Sequence, residues 1–408
     1  MRTPAWLTEP SLQGWGCGMK VCDLTQFYSP VSGGVKRYLQ EKVAYLHAHT
    51  TEDRHILIIP GPADEMREEG RSRVYTIRSP LVSRTSRYRA LLRLEAVERI
   101  LEREKPDVIE SGDPYQVAWK AVASGEALGI PVIGFYHSHF PEAYFRSVGK
   151  FFGPTATEFV MDLSRRYVRN LYNRFQRTLV PSPALGALLQ DWGVENVENI
   201  DLGVNTAIFK PEPDDTAATR RELVIPDGRV LLLYVGRLAA EKNTRILFEA
   251  FELLNREHPN RFHLMAIGDG NQRGYLQELK AATDAVTWLP YCADMAQLAR
   301  YYRAADLFVH PGVQETFGLV ALESQACETP VVGIAGSYMD RIIFNSQHDW
   351  ARENSAPALA QAIRESSDAN LATTGDATSR TVRSLYSWTT VFDRLFAIYR
   401  NVVKDYRL

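Results

Sequence analysis

Glu315 and Glu323 stand in the stretch HPGVQETFGLVALESQACETPVV with seven residues between them, bracketing the expected start of a helix that follows a buried strand. A carboxylate accepts hydrogen bonds from vicinal hydroxyls, and charge-assisted bonds of this kind contribute roughly 1.5–3 kcal/mol when desolvated. Acids flanking a helix N-terminus therefore suit a hexose and a ribose on either side of a diphosphate. The first backbone N–H groups, expected near Thr316 to Gly318, would be unpaired and partly positive, an anion cradle. Glutamates on an amphipathic helix are also simply solvated, and the spacing alone leaves both readings open. Upstream, LLLYVGRLAAEKNTRILFEAF sets Arg237 and Lys242 between an apolar strand, Val230 to Val235, and a helix starting near Thr244. A strand, a glycine and a basic loop together offer what a diphosphate leaving group needs.

The N-terminal half adds two features. SPVSGGVKRYLQ puts Gly33 and Gly34 immediately before a helix, where absent side chains let backbone amides approach a phosphate or an acceptor, with Lys36 or Arg37 to assist. A flexible turn is the other reading. The segment is neither a Walker motif nor a G-x-G-x-x-G fingerprint, which excludes nucleoside triphosphate and dinucleotide readings there. In FYHSHFPEAYF, His137 and His139 follow the strand Val132 to Tyr136 at its carboxyl end. Alternate residues of an extended path share a face without supplying a third metal ligand, so a metal pair and a structural histidine both stay open.

Four segments, GGVKRYL, VGRLAAEKN, IGDGN and ETFGLVALE with its E-x7-E spacing, together resemble the large family-4 retaining glycosyltransferases, over about residues 19 to 400. The resemblance implies the α/β GT-B architecture, two Rossmann-like domains facing each other across a cleft with a C-terminal helix crossing back to the N-terminal domain. It implies that Arg237 and Lys242 bind the donor diphosphate, Glu315 the transferred sugar and Glu323 the ribose. Gly268 of IGDGN and Thr316, Phe317, Gly318 and Leu319 would complete the donor site, with Gly33 and Gly34. His137 matches best a family histidine that contacts the donor sugar, while Lys36, Arg37, His139 and Arg146 fall on the acceptor side. No D-x-D tripeptide is present, so fixed cations and a helix dipole would replace a metal, and no cofactor is expected. Retention would follow from front-face attack, the diphosphate drawing the acceptor proton. HSHFPEAYF is similar to members that glycosylate lipids. The sequence departs from the family at Cys327-Glu328, at GSYMDRII and at Pro290, which leaves uridine versus guanosine open.

Short apolar runs alternating with amphipathic stretches are needed to position these residues, and they are the signature of βαβ units. Candidate strands are Val21 to Gln26, His55 to Pro60, Val74 to Ile77, Val108 to Ser111, Val132 to Tyr136 and Thr178 to Pro181. A second series runs through Val230 to Val235, Phe262 to Ile267, Val286 to Leu289, Leu307 to His310 and Val331 to Gly333. The Pro- and Asp-rich NTAIFKPEPDDTAATRREL between them reads as a linker. The expected organisation is a loose extension at 1–18, an acceptor domain at 19–205, a donor domain at 206–385 and the crossing helix at 386–408.

At 408 residues and 45% hydrophobic content the chain can bury two cores. No apolar run reaches membrane-spanning length, and Cys17, Cys22, Cys292 and Cys327 form no C-x-x-C pair, so a cytoplasmic enzyme is expected. Net charge is −2, yet arginines 71, 73, 78, 84, 87, 89 and 93 occupy a segment without an acid, and a second cluster holds Arg146, Lys150, Arg165, Arg166, Arg169, Arg174 and Arg177. An anionic acceptor, an anionic bilayer surface at the inner membrane face or a solvated helical face each fits, whereas nucleic acid does not. The expected partners are thus a nucleotide-sugar donor of the GDP-mannose or UDP-glucose type and a sugar or lipid acceptor. A sugar-nucleotide epimerase and a non-catalytic nucleotide-sugar binding protein are the rival classes.

Overall fold

A computed structural model describes residues 18–29, 33–82, 87–137, 158–212, 216–313, 315, 317–337, 339, 341–344 and 350–408. Thr316, His139, Arg146, Lys150, Arg84, Cys17 and the rest of the extension at 1–17 lie outside the described residues. The chain divides into two compact units. One ends at Asp201 and regains the chain from Val391 to Leu408; the other is Leu202–Thr390.

In the first unit β1 (Lys20–Leu24), β2 (Arg54–Gly61), β3 (Glu65–Glu69), β4 (Ser72–Arg78), β5 (Val108–Ser111), β6 (Val132–Phe135), β7 (Arg177–Val180) and β8 (Val197–Asn199) form a sheet of order 3-4-2-1-5-6-7-8. All neighbours are parallel except β3 on β4. β5 and β6 are buried throughout; β6, VIGF, reads as an unbroken apolar run, as a strand covered on both faces does, whereas β5, VIES, carries Glu110 and Ser111 into the interior. β3, EMREE, was not visible as a strand: its solvent-facing charges suit an edge that must not pair with another molecule. The three-residue β8 is too short to show a period.

The second unit holds β9 (Val230–Val235), β10 (Phe262–Ile267), β11 (Val286–Leu289), β12 (Leu307–Val309) and β13 (Val331–Val332), all parallel, in the order 11-10-9-12-13. The helix Thr244–Glu257 buries Leu247, Phe251 and Leu254 at spacings of four and three, the stripe that packs it on the sheet. Each sheet has a point where successive connections leave β1 or β9 in opposite directions. Ligands of doubly wound folds bind outside the carboxyl ends of the strands at that point.

The final helix runs Trp388–Tyr406, two residues inside each end of the expected 386–408. Its start stays with the second unit, since Val204 pairs with Ser387 and the Trp388 ring fills the space beside Gly203. From Val391 it is part of the first unit. No helix among the described residues is long and apolar enough to cross a membrane.

Candidate active site

The switch point of the second sheet lies between β9 and β12, and both loops that leave it carry charge. After β9 come Gly236, Arg237 and a single 3-10 turn, Ala240–Lys242; after β12 come His310, Gly312 and Glu315. The Lys242 ammonium donates to Glu315 Oε1, closing the two loops on one another across the switch point. The side-chain amide of Asn243 reinforces this by donating to the Pro311 carbonyl at 2.9 Å. Burial would push the Glu315 carboxyl up, but Lys242, and then His310 and Arg237, hold it below the ordinary carboxylate range. It is therefore an anion with acceptor oxygens, suited to sugar hydroxyls. His310 is buried and pushed down, which favours its neutral form.

Arg237 is 70% exposed and pairs with Glu241 at 3.0 Å, so its charge stands at the surface of the same loop. The Tyr234 hydroxyl donates to the Arg237 carbonyl at 2.8 Å and fixes that turn. Gly268 follows β10, and a Cβ there would sit 1.9 Å from the Gly236 carbonyl oxygen. The glycine is thus required by backbone packing of the two loops. Trp288 Nε1 donates to the Gly268 carbonyl at 2.8 Å and ties β11 to the same edge.

The helix after β12 starts at Leu319, not at Thr316 to Gly318, so its first turn, and the positive end of its dipole, belongs to Leu319 onward. Gly318 occupies the left-handed region, φ 79°, as a hinge into the helix, which ends the preceding loop before any helical hydrogen bond can form. Phe317 is buried, with the Arg341 guanidinium 5.2 Å over its ring. Glu323 lies inside this helix, 2% exposed, and accepts a hydrogen bond from the Tyr302 hydroxyl at 3.0 Å. The structure therefore brings Lys242, Glu315 and the Arg237 loop together, and sets Glu323 deeper, on a tyrosine that no motif marks out.

In the first unit the helix Gly34–His49 begins one residue earlier than expected: Gly34 is its first residue and Gly33 its cap. A Cβ on either would meet nothing within 4 Å among the described residues, so their packing does not demand these glycines. Lys36 and Arg37 lie half-buried in the first turn of that helix. His137 follows β6 at the carboxyl edge, half-buried, beside Thr25 after β1 and Gly112 after β5. Burial, and then Lys42, push its pKa down to about 3, so the imidazole is neutral. A buried group the sequence reading passed over lies beneath it: Asp23, Lys42, His55, Glu110 and Tyr399. The signal was present, since Asp23 and Glu110 are charged residues within apolar strands and Lys42 shares a helical face with Tyr38 and Tyr45.

The arginine-rich segments are largely engaged within the protein. Arg73 pairs with Glu104 at 3.0 Å, Arg93 binds Asp64, Arg89 donates to the Ser79 carbonyl and Arg71 to the Leu46 carbonyl. Arg166 pairs with Asp162 and Arg177 with Glu198. Among the described residues no group of three or more His, Cys, Asp or Glu side chains is arranged to hold a metal ion.

The model of the family described as Glycosyltransferase Family 4 matches residues 32–208, and that described as Glycosyl transferases group 1 matches residues 215–372. The chain belongs to glycosyltransferase family 4. It is 29% identical over 335 residues to a GDP-mannose-dependent alpha-mannosyltransferase of Corynebacterium glutamicum, covering 79% of this chain and 74% of that protein. It is 29% identical over 352 residues to a GDP-mannose-dependent alpha-(1-6)-phosphatidylinositol dimannoside mannosyltransferase of Mycobacterium tuberculosis, covering 85% and 87%. The fold matches sucrose-phosphate synthase of Thermosynechococcus elongatus with a TM-score of 0.71 at 22% identity, over 95% of this chain and 100% of that one. The glycosyltransferase thus has the GT-B fold, and it is an enzyme that transfers a sugar from a nucleotide-sugar donor.

Proposed function

We propose that this glycosyltransferase moves mannose from GDP-mannose to a hydroxyl of an anionic lipid-linked glycoside, with retention at the anomeric carbon and without a metal. The donor follows the names of the two mannosyltransferases it is similar to, and the acceptor that of the phosphatidylinositol dimannoside enzyme. The observation that carries the reading is the Lys242–Glu315 pair at the β9/β12 switch point with Arg237 on the same loop. As the glycosidic bond breaks, charge grows on the leaving diphosphate. Lys242, Arg237 and the amides from Leu319 onward stabilise it, fixed groups that need no reorganisation during the step.

Glu315 holds hydroxyls of the transferred sugar, Glu323 the ribose and His137 the sugar as a neutral imidazole. With no enzymic carboxylate serving as nucleophile, the acceptor hydroxyl attacks on the face the diphosphate leaves. Its proton passes to a departing phosphate oxygen. An acceptor of this kind calls for transient contact with an anionic membrane surface.

The test is release of GDP from GDP-mannose against UDP from UDP-glucose in the presence of phosphatidylinositol mannosides in vesicles. Turnover with GDP-mannose, a mannosyl product of α linkage and activity retained in chelator support the reading. Lys242→Ala should lower kcat about 100- to 1,000-fold, as removal of one preorganised charge does. Unchanged turnover in Lys242→Ala overturns the role, and conversion of donor without acceptor transfer overturns the reaction.

A further inference from the structure

Lys42 is completely buried, and its ammonium lies 2.8 Å from Asp23 Oδ1, 3.0 Å from Glu110 Oε1 and 2.9 Å from the Tyr399 hydroxyl. His55 Nε2 lies 2.6 Å from the other Asp23 oxygen, and the Tyr38 hydroxyl donates to Glu110 at 3.1 and 3.2 Å. The groups around Glu110 are therefore Asp23 of β1, Lys42 and Tyr38 of the Gly34–His49 helix and Tyr399 of the final helix. His55 of β2 lies behind Asp23, and Cys22 of β1 beside it.

One carboxylate would neutralise Lys42. The second leaves the cluster with an excess negative charge whenever both acids are ionised and His55 is neutral, a costly arrangement if its only task is to seat a helix. Burial raises Glu110 to about 7, with Asp23 adding to it and Lys42 opposing.

The cluster borders His137. Glu110 and His137 line the same small pocket, with Thr25 and Gly112. The His137 imidazole is stacked on Phe135, centroids 3.9 Å apart and planes at 2°, and the Tyr38 ring meets it edge-on at 5.2 Å. The Lys42 ammonium sits 4.5 Å above that tyrosine ring. The Tyr38 ring, which meets the imidazole, is thus itself set by Glu110 and Lys42.

We propose that Glu110 and Lys42, acting through Tyr38, are positioning residues for His137, holding its imidazole in one orientation against the hexose of the donor. This rests on the reading of His137 as a sugar contact, and the experiment separates the two. The full chain is titrated with GDP-mannose and with GDP, which lacks the hexose, and the ratio of the two affinities reports the sugar contact alone. His137→Ala should collapse that ratio. Tyr38→Phe, which keeps the ring, and Glu110→Gln, which keeps an acceptor, should each lower it about fivefold, the size of one ordinary hydrogen bond. The GDP affinity itself should stay within about twofold of the parent in both, well under one hydrogen bond.

An unchanged ratio in Tyr38→Phe and Glu110→Gln, with a collapsed ratio in His137→Ala, overturns the positioning role and leaves the His137 reading standing. A ratio unchanged in all three overturns that reading. GDP and GDP-mannose affinities falling in parallel in Tyr38→Phe mark a purely structural network and also overturn the proposal.

Discussion

The carboxylates of this protein differ in what holds them, and that difference predicts how each responds to change. Glu315 is set by a lysine from a neighbouring loop, whereas Glu323 is set by the hydroxyl of Tyr302, a fully buried ring packed near Phe308 and Phe209. Tyr302→Phe removes that hydroxyl and keeps the ring. It should cost about 1–3 kcal/mol in denaturant unfolding, the usual effect of leaving a buried acceptor short of a partner. If Glu323 grips the ribose, the same change should raise the donor KM with little effect on kcat, because a ribose contact is equal in ground and transition states. Two further groups give opposite responses to pH. His137 is pushed down from its ordinary 6.5 to about 3, so its contribution to stability is present above pH 6.5 and is lost as pH falls toward 3. Glu110 is raised from 4.5 to about 7, so its contribution is present below pH 4.5 and is lost as pH rises through 7. Melting temperatures between pH 4 and 8 should therefore lose part of their acid-side fall in His137→Gln and part of their neutral-side fall in Glu110→Gln. The same slope in parent and variants would refute these assignments.

The elements that carry the site are joined by glycines whose roles differ. Gly318 turns into the helix Leu319–Ala326 with φ 79°, and an added Cβ would face the end of the flexible Met339 side chain, 2.2 Å from its Cε. Gly268 faces the Gly236 backbone carbonyl, which has no rotamer to yield. Gly318→Ala should thus cost about 1–3 kcal/mol, the strain of a left-handed residue, while Gly268→Ala should cost at least as much and displace the Arg237 loop. Urea midpoints and GDP affinity check both, and a milder effect at Gly268 would contradict the order. The same elements show what was legible beforehand. β9, β10 and β11 have the bounds read from their sequence; for β9 and β10 this is because strands buried along almost their whole length cannot hide their composition, and β11, an edge strand, shows itself by its β-branched and aromatic residues. β3 was hidden because an exposed edge is charged, and the helix start was misplaced because glycine's left-handed turn leaves no trace in hydrophobic spacing. Lys242 and Glu315 were identifiable by type and loop, but their pairing depends on strand order 9-12, which no local pattern encodes. The Asp23–Lys42–Glu110 group unites β1, β5 and a helix, again a consequence of order in the sheet.

At the scale of the whole molecule the chain leaves its first unit at Asp201 and returns to it at Val391, so that unit is complete only once Val391–Leu408 has joined it. The returning helix carries much of its core: Val391, Phe392, Leu395, Phe396, Tyr399 and Val402 are each 3% exposed or less. Polar ties add to this, with Tyr45 donating to Asp393 at 2.6 Å and Arg400 to Asp53 at 2.8 Å. Burial of such side chains contributes about 1.5–3 kcal/mol each, against a total stability of about 5–15 kcal/mol for a domain. Truncation after Thr390 would remove all of them, and would leave Lys42 without the Tyr399 hydroxyl and its two carboxylates facing water. The first unit should then fail to fold, while the second, whose residues end at Thr390, keeps its own core. Calorimetry of the truncated chain should show one transition in place of the parent's full unfolding enthalpy, and limited proteolysis should leave a fragment beginning near Leu202. Lys42→Met in the full chain should act the same way more mildly, by about 3–5 kcal/mol, since it strands buried carboxylates instead of removing a helix. A truncated chain that melts like the parent in both units would show that the crossing helix is dispensable to the sheet it covers.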